Sequence, residues 1–276
     1  MAVLLFWNVR GSHIADSLAS ICQDHEVDVL MLAELEANAI EMLGRLNSTK
    51  DAPYWELRSP VVSRVRCFTR YPIASITPLF DDGRVSIRNL SPPIGASVLI
   101  VAVHMPSKLQ SDDQDQHYRI RRLRGDIEEA ERQVGHRNTV VIGDLNANPF
   151  EDAMVAADGL HGVMDKRIAE RPPRSVQGKD WSFFCNPMWS RMGDESKGPP
   201  GTHYYARGGL VSYFWNTFDQ VLLRPELLRY YAEDSVAVIS WIDGRDLLPA
   251  NQTARDAPDH LPILVRLSIE TERHDG

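Results

Sequence analysis

Cysteine is scarce in this chain: three residues in 276, Cys22, Cys67 and Cys185, far apart and without a CxxC pair. That pattern argues against a disulfide framework and a structural zinc site. An odd number of unpaired thiols fits a reducing compartment, so a cytoplasmic protein is expected. Long apolar runs are missing too. The run at residues 3–7 is too short for a signal peptide and no basic stretch precedes it. No segment approaches the roughly 18 apolar residues of a membrane helix. Basic residues are not in excess: Lys and Arg number 30 against 38 Asp and Glu, a net charge of −8 at pH 7. A protein that grips long duplex DNA by its phosphates usually has the opposite balance. A carboxylate-rich metal site by itself adds negative charge, however, and a local basic patch can sit on an acidic protein. The sequence has no internal repeat, low-complexity tract or dividing linker, so one domain over residues 1–276 is the simplest organisation.

What is present is a series of short apolar runs. Residues 3–7 and 27–32 read as buried strands. Between them, residues 12–23 set Ile14, Leu18 and Ile21 at helical spacing, with Ser12 as N-cap. A second helical pattern runs through Ile40, Leu43 and Leu46. Residues 64–70, 73–79, 84–90 and 97–103 read as strands separated by Tyr71-Pro72, Asp81-Asp82-Gly83 and Ser91-Pro92-Pro93. Their close spacing predicts antiparallel neighbours. The longest helix is expected over 112–135, with Ile120, Leu123, Ile127 and Ala130 on one face. Strands follow at 139–142, 218–223 and 263–269, whereas 171–201 and 243–258 read as irregular loops. Helices mixed with closely spaced strands suggest an α+β domain of two packed sheets with helices outside.

The informative feature is where these strands stop. Strand 3–7 ends at Asn8, 27–32 runs to Glu34, 97–103 ends at His104, and 139–142 ends at Gly143-Asp144-Leu145-Asn146. Asp219 opens strand 218–223, and Asp259-His260 precedes the last strand. Singly, each has a bland reading. Asn8 is a turn residue, Glu34 a first-turn helix glutamate, His104 a core histidine, Gly-Asp-Leu-Asn an ordinary turn and Asp259-His260 a polar loop. Jointly, they describe one cleft holding four carboxylates. Such carboxylates repel one another unless a cation is present, and oxygen donors suit Mg²⁺ or Mn²⁺ rather than zinc.

The segments Phe6-Trp7-Asn8-Val9, Leu32-Ala33-Glu34, Val103-His104-Met105-Pro106-Ser107, Ile142-Gly143-Asp144-Leu145-Asn146, Phe218-Asp219-Gln220-Val221 and Pro258-Asp259-His260-Leu261-Pro262 together resemble the endonuclease/exonuclease/phosphatase superfamily, which includes DNase I-like enzymes. The resemblance spans residues 3–267, and Gly-Asp-x-Asn and Asp-His-x-Pro are its most specific elements. It implies a four-layered αββα sandwich, two mixed sheets face to face with helices outside, and phosphoester hydrolysis with Mg²⁺ or Mn²⁺. Carried over by position, Glu34 is the main metal ligand, with Asn8 and Asp259 beside it. Asp144 orients or deprotonates the attacking water, or binds metal. Asn146 holds a phosphate oxygen. His260, paired with Asp219, stabilises the transition state or acts as base, and His104 contacts a phosphate oxygen or the leaving group. Two departures stand out. Ala33 occupies the place where the family usually has Gln, and His104 stands where exonuclease III-like members carry Tyr. An acidic partner for His104 is not evident beyond the guess of Glu56.

Substrate contacts are less defined. Tyr204, Arg207, Trp215 and Asn216 precede Asp219, and the aromatics there either stack on a base or fill the core rim. Arg119, Arg121, Arg122 and Arg124 either line a phosphate groove or form a solvated face paired with Asp126, Glu128 and Glu129; Arg119 is the substrate-contact candidate. Trp181, Phe183, Phe184 and Trp189 in the 171–201 stretch read as a packed lid or partner surface, or as a core flap. The expected activity is a nuclease-like phosphodiesterase on DNA or RNA. The alternatives are a phosphatase or phospholipase-type hydrolase of a small or lipid phosphoester, and an inactive binding module on the same fold.

Overall fold

The structure, a computed structural model, describes residues 1–10, 15–48, 53–107, 112–205, 212–247 and 259–270. Its centre is two mixed sheets. The first has six strands in the order Val236–Val238, Ile263–Leu267, Ala2–Asn8, Val29–Ala33, Val65–Thr69, Trp55–Leu57. The second has seven, in the order Ile76–Asp81, Val85–Leu90, Val98–His104, Thr139–Asp144, Asp219–Leu223, Phe184–Cys185, Gly162–Val163. Each sheet contains one long parallel pair, Ala2–Asn8 with Val29–Ala33 in the first and Val98–His104 with Thr139–Asp144 in the second.

Alternation along the strands explains the layering. Leu4 and Phe6 share the central core with Ile100, Ala102, Val140 and Ile142 of the opposite sheet. Their neighbours Val3, Leu5 and Trp7 pack instead with Leu18 and Ile21 of helix Ala15–Asp24 and Met42 and Leu46 of helix Ala39–Leu46. On the far side Leu99, Val101 and Val103 meet Ile120, Leu123 and Ile127 of helix Asp113–Val134. The result is the four-layered αββα sandwich expected. Both faces of the central strands are covered, so their apolar runs are continuous. Fully buried Phe6 and Trp7 each contribute roughly 1.5–3 kcal/mol or more of transfer free energy.

Local chemistry sets the helix ends. Asp112 accepts from the Asp115 N–H at 2.8 Å, and Gly135, at φ +73°, closes helix Asp113–Val134. The Ser12 cap lies outside the described residues. Elsewhere the structure corrects the sequence reading. Of the expected stripe on helix Ala39–Leu46, Leu46 is buried and Leu43 partly so, but Ile40 is 79% exposed and Met42 takes its place in the core. Residues 73–75 form a 3₁₀ turn before strand Ile76–Asp81. The 171–201 stretch is not an irregular loop: it holds a hairpin, Arg174–Val176 with Lys179–Trp181, a strand of the second sheet, and the 3₁₀ helix Pro187–Arg191. Phe183, Phe184 and Met188 are buried there, which favours the core-flap alternative. Residues 241–246 form a short hairpin, and the rest of 248–258 lies outside the described residues. Among the described residues no helix is long and apolar enough to cross a membrane.

Candidate active site

Register brings the polar strand ends together. Asn8 lies opposite Ala33, His104 opposite Asp144, and Asp144 opposite Asp219. Because the long parallel pair of each sheet finishes at this edge, the residues that end the four strands face one another. Asn8 then bridges the sheets, its Nδ2 donating to Asp144 Oδ2 at 3.1 Å.

Asp144 is the buried centre. Oδ1 accepts from the Asn146 N–H at 2.9 Å, and Oδ2 lies 3.8 Å from His104 Nε2 and 3.9 Å from His260 Nε2. Burial pushes its carboxyl above the usual range; the His260 charge opposes this and Asp219 adds to it. His260 is held from two directions. Its Nδ1 donates to Asp219 Oδ2 at 2.8 Å, and its carbonyl accepts from Trp7 Nε1 at 2.9 Å. Burial alone would depress the imidazole pKa, but Asp219 and Asp144 outweigh it and raise it to about 10. Asp219 is itself fixed by its N–H, which donates to Thr202 Oγ1 at 3.0 Å.

Glu34 is no first-turn helix residue, since the next helix begins at Ala39. It turns out of its strand at φ +54°, as Asn146 does at φ +49°. A left-handed glutamate costs about 1–3 kcal/mol, and the bond from its N–H to the Arg64 carbonyl at 3.2 Å helps to hold it. Its Oε1 lies 3.2 Å from His104 Nε2. That bond holds the carboxyl below the usual range against partial burial. Glu56 is not the acid beside His104: it pairs with Arg66 at 2.6 Å, and His104 meets Glu34 and Asp144 instead. Asn146 donates to the Met105 carbonyl at 2.8 Å, and its own carbonyl accepts from Gln116 Nε2 at 2.6 Å.

Asp259 faces Arg10 Nη1 at 2.5 Å and His203 Nε2 at 3.8 Å. Burial would raise its pKa, but His203, His260 and Arg10 hold it near 2. His203 was missed by sequence reasoning. Its ring lies 4.4 Å from that of His260 and 5.2 Å from Phe218. His203 lies on the two-residue strand His203–Tyr204, too short to carry a periodic signal. Asn148 was missed as well; it bonds Asn216 Oδ1 at 3.1 Å and accepts from the Thr217 N–H at 2.8 Å.

The substrate candidates divide. Tyr204 and Trp215 pack against each other at 5.2 Å on paired short strands, half-buried, and Asn216 is held by Asn148. Tyr213 and Phe214 are 61% and 51% exposed. Among the helix arginines, Arg124 is buried on Glu128 at 2.8 Å, Arg121 pairs with Asp158, and Arg122 faces Asp82 at 3.7 Å, as a paired face would. Among the described residues Arg119 alone of the four is exposed without a partner. Arg207 lies outside the described residues.

Among the described residues, two groups have ligand atoms close enough to share a metal ion: Asp144, Asp219 and His260, and His203, Asp259 and His260. Asp219 Oδ1 is buried without a hydrogen-bond partner, a vacancy in its bonding that a cation or its water would satisfy. The first group supplies two carboxylates and one imidazole and the second one carboxylate and two imidazoles, with no cysteine; the carboxylate-rich first group fits a hard divalent cation.

The endonuclease/exonuclease/phosphatase family model matches residues 5–238. No curated protein sequence matches the chain. Among solved structures, it is similar to an endonuclease/exonuclease/phosphatase family protein from Leptotrichia buccalis, 15% identical, covering 97% of this chain and 99% of that one at a TM-score of 0.58. It is also similar to ANGEL2, described as a 2′,3′-cyclic phosphatase, 13% identical over 98% and 95% at a TM-score of 0.60. TDP2 of D. rerio, complexed with a single-strand DNA product, is 18% identical over 96% and 97% at a TM-score of 0.53.

Proposed function

The chain belongs to the endonuclease/exonuclease/phosphatase family, and from that premise we propose that it is a cytoplasmic divalent-metal phosphodiesterase, one catalytic domain over residues 1–276, that cleaves DNA or RNA. The observation that carries the reading is the Asp219–His260–Asp144 array, at 2.8 Å and 3.9 Å, with His104 and Glu34 on its other flank.

Glu34, Asn8 and Asp259 would hold Mg²⁺ or Mn²⁺, which supplies Lewis-acid stabilisation of charge on phosphate oxygens. The chain's own residues do the rest. His260, kept cationic by Asp219, presents Nε2–H to a phosphate oxygen as negative charge grows there. Asp144, whose buried carboxyl has a raised proton affinity, orients the attacking water and takes its proton on Oδ2. Asn146 keeps one amide hydrogen for a phosphate oxygen while the other bonds Met105. His104 donates from Nε2 to a phosphate oxygen or to the leaving oxygen. Tyr204, Trp215 and Asn216 back a rim on which exposed Tyr213 and Phe214 offer faces to bases, with Arg119 and Arg207 as further substrate contacts.

A second reading, a phosphatase of a small phosphoester, draws on the likeness to ANGEL2. The test is hydrolysis of bis-p-nitrophenyl phosphate and of oligonucleotides with Mg²⁺ or Mn²⁺. Asp144→Ala and His260→Ala should each lower turnover by about 10²–10⁴-fold. A folded wild type inert in both metals would sink the enzyme reading. Turnover of phosphomonoesters alone would favour the phosphatase.

A further inference from the structure

On the Glu34–His104 flank, a chain of backbone bonds places two arginines beside the site. The Glu34 N–H donates to the Arg64 carbonyl at 3.2 Å, the Arg64 N–H to Gly83 at 2.7 Å, and the His104 N–H to Arg84 at 2.8 Å. Arg84 returns a bond from Nη1 to the His104 carbonyl at 3.3 Å. Arg119 approaches from helix Asp113–Val134, whose Ile120 packs in one core with Val85 and Ile87.

These three differ from the basic residues around them. Arg66 is neutralised by Glu56 at 2.6 Å, Arg88 by Asp81 at 2.9 Å, and Arg122 faces Asp82 at 3.7 Å. Asp82 is further occupied by the N–H groups of Arg84 and Val85 at 3.0 and 2.9 Å. Arg64 and Arg119 are exposed, and among the described residues neither side chain has a hydrogen bond or ion pair. Arg84 is half-buried; burial first, then the charges of Arg64 and Arg119, lower its pKa against the pull of Asp82 and Glu34, so both neighbouring guanidiniums lie within electrostatic reach of Arg84. Three neighbouring guanidiniums, two of them exposed and unpaired among the described residues, on a chain of net charge −8 form an anion site.

We propose that Arg64, Arg84 and Arg119 bind a second phosphate of the substrate, beside the scissile one, so that a nucleic-acid strand is preferred to an isolated phosphodiester. The inference rests on the phosphodiesterase reading and names its substrate class. A strand carries a phosphate at every nucleotide, whereas a lipid headgroup diester carries one and leaves the cluster unused.

The test compares an oligonucleotide of about a dozen nucleotides with bis-p-nitrophenyl phosphate. Arg64 and Arg119 are exposed, so the double variant Arg64→Gln/Arg119→Gln leaves the core and the Arg84–His104 bond alone. It should lower kcat/KM on the oligonucleotide about tenfold relative to bis-p-nitrophenyl phosphate. It should also flatten the slope of log affinity against log salt by about 1.4 for a single strand. The double Lys variant should restore most of both. An unchanged substrate ratio and salt slope in the Gln variant overturns the subsite while leaving the hydrolase reading intact. If the wild type cleaves neither substrate, the hydrolase reading falls. The cluster is then judged by anisotropy of a labelled phosphorothioate strand: about tenfold weaker binding to the Gln variant supports it, and equal binding overturns it.

Discussion

At His260 two forces oppose each other. Burial favours the neutral ring, while Asp219 at 2.8 Å and Asp144 at 3.9 Å favour the cation and win. The folded pKa is about 10, against about 6.5 in an unfolded chain. Between these values the folded protein binds more protons than the unfolded one, so stability falls as pH rises. The contribution is complete below about pH 6.5 and lost as pH passes through about 10. The midpoint of thermal unfolding of metal-free protein in EDTA should therefore drop across pH 7–10. Asp219→Asn, which removes the larger attraction, should flatten that drop. Equal slopes in the two proteins would refute the assignment to this pair. At this scale the sequence was only partly legible. His104, Asp144, Asp219 and His260 each stand at the end of an apolar run, where strand direction makes their position readable. His203, on the two-residue strand His203–Tyr204, reaches His260 through an isolated bridge and a ring contact, and a strand that short shows no period to announce it. The Glu56 guess failed because a partially buried guanidinium, Arg66, was the nearer claimant.

The strands that deliver the site depend on close approach. Gly143 lies between Val103 and Gln220 in paired strands, at φ +149°, and a Cβ placed on it would come within 2.1 Å of the Val103 carbonyl oxygen. Any side chain there must push apart the strands that set His104 opposite Asp144. Gly143→Ala should cost about 1–3 kcal/mol or more, read as a lower urea midpoint, and should lower turnover because Asp144 moves relative to His104. Wild-type stability and turnover in that variant would show that the strands yield freely. The same elements explain what could be read from the sequence. Strands of five to seven residues with continuous apolar runs, such as Ala2–Asn8 and Val98–His104, were visible because both faces are buried. The two-residue strand Phe184–Cys185 is too short to show a period, so its stretch read as a loop. Ile40 fits a helical pattern, yet the helix presents Met42 and Leu46 to the sheet, since spacing alone does not say which stripe faces inward.

The site also ties the two sheets to each other. Asn8 and Glu34 end strands of the first sheet, Asp144 and Asp219 belong to the second, and Asp259 precedes the strand Ile263–Leu267. Without a cation their carboxylates repel across the seam, a repulsion that His260, His104, His203 and Arg10 relieve. Unfolding scatters these donors over some 250 residues of sequence, from Asn8 to Asp259, so the unfolded chain offers no comparable site. A metal bound only by the folded protein stabilises it by mass action, about 2.7 kcal/mol at a hundred times its Kd. For a chain of this size that corresponds to roughly 5–10 °C in Tm. Adding Mg²⁺ or Mn²⁺ to EDTA-treated protein should produce such a rise at constant ionic strength. In Glu34→Gln the metal-free Tm should hold or fall slightly, because the charged contact with His104 is lost, and the response to metal should shrink. Equal Tm with EDTA and with saturating metal would remove the cation from the seam. An undiminished response in Glu34→Gln would move it away from Glu34, toward the Asp144–Asp219–His260 or the His203–Asp259–His260 group.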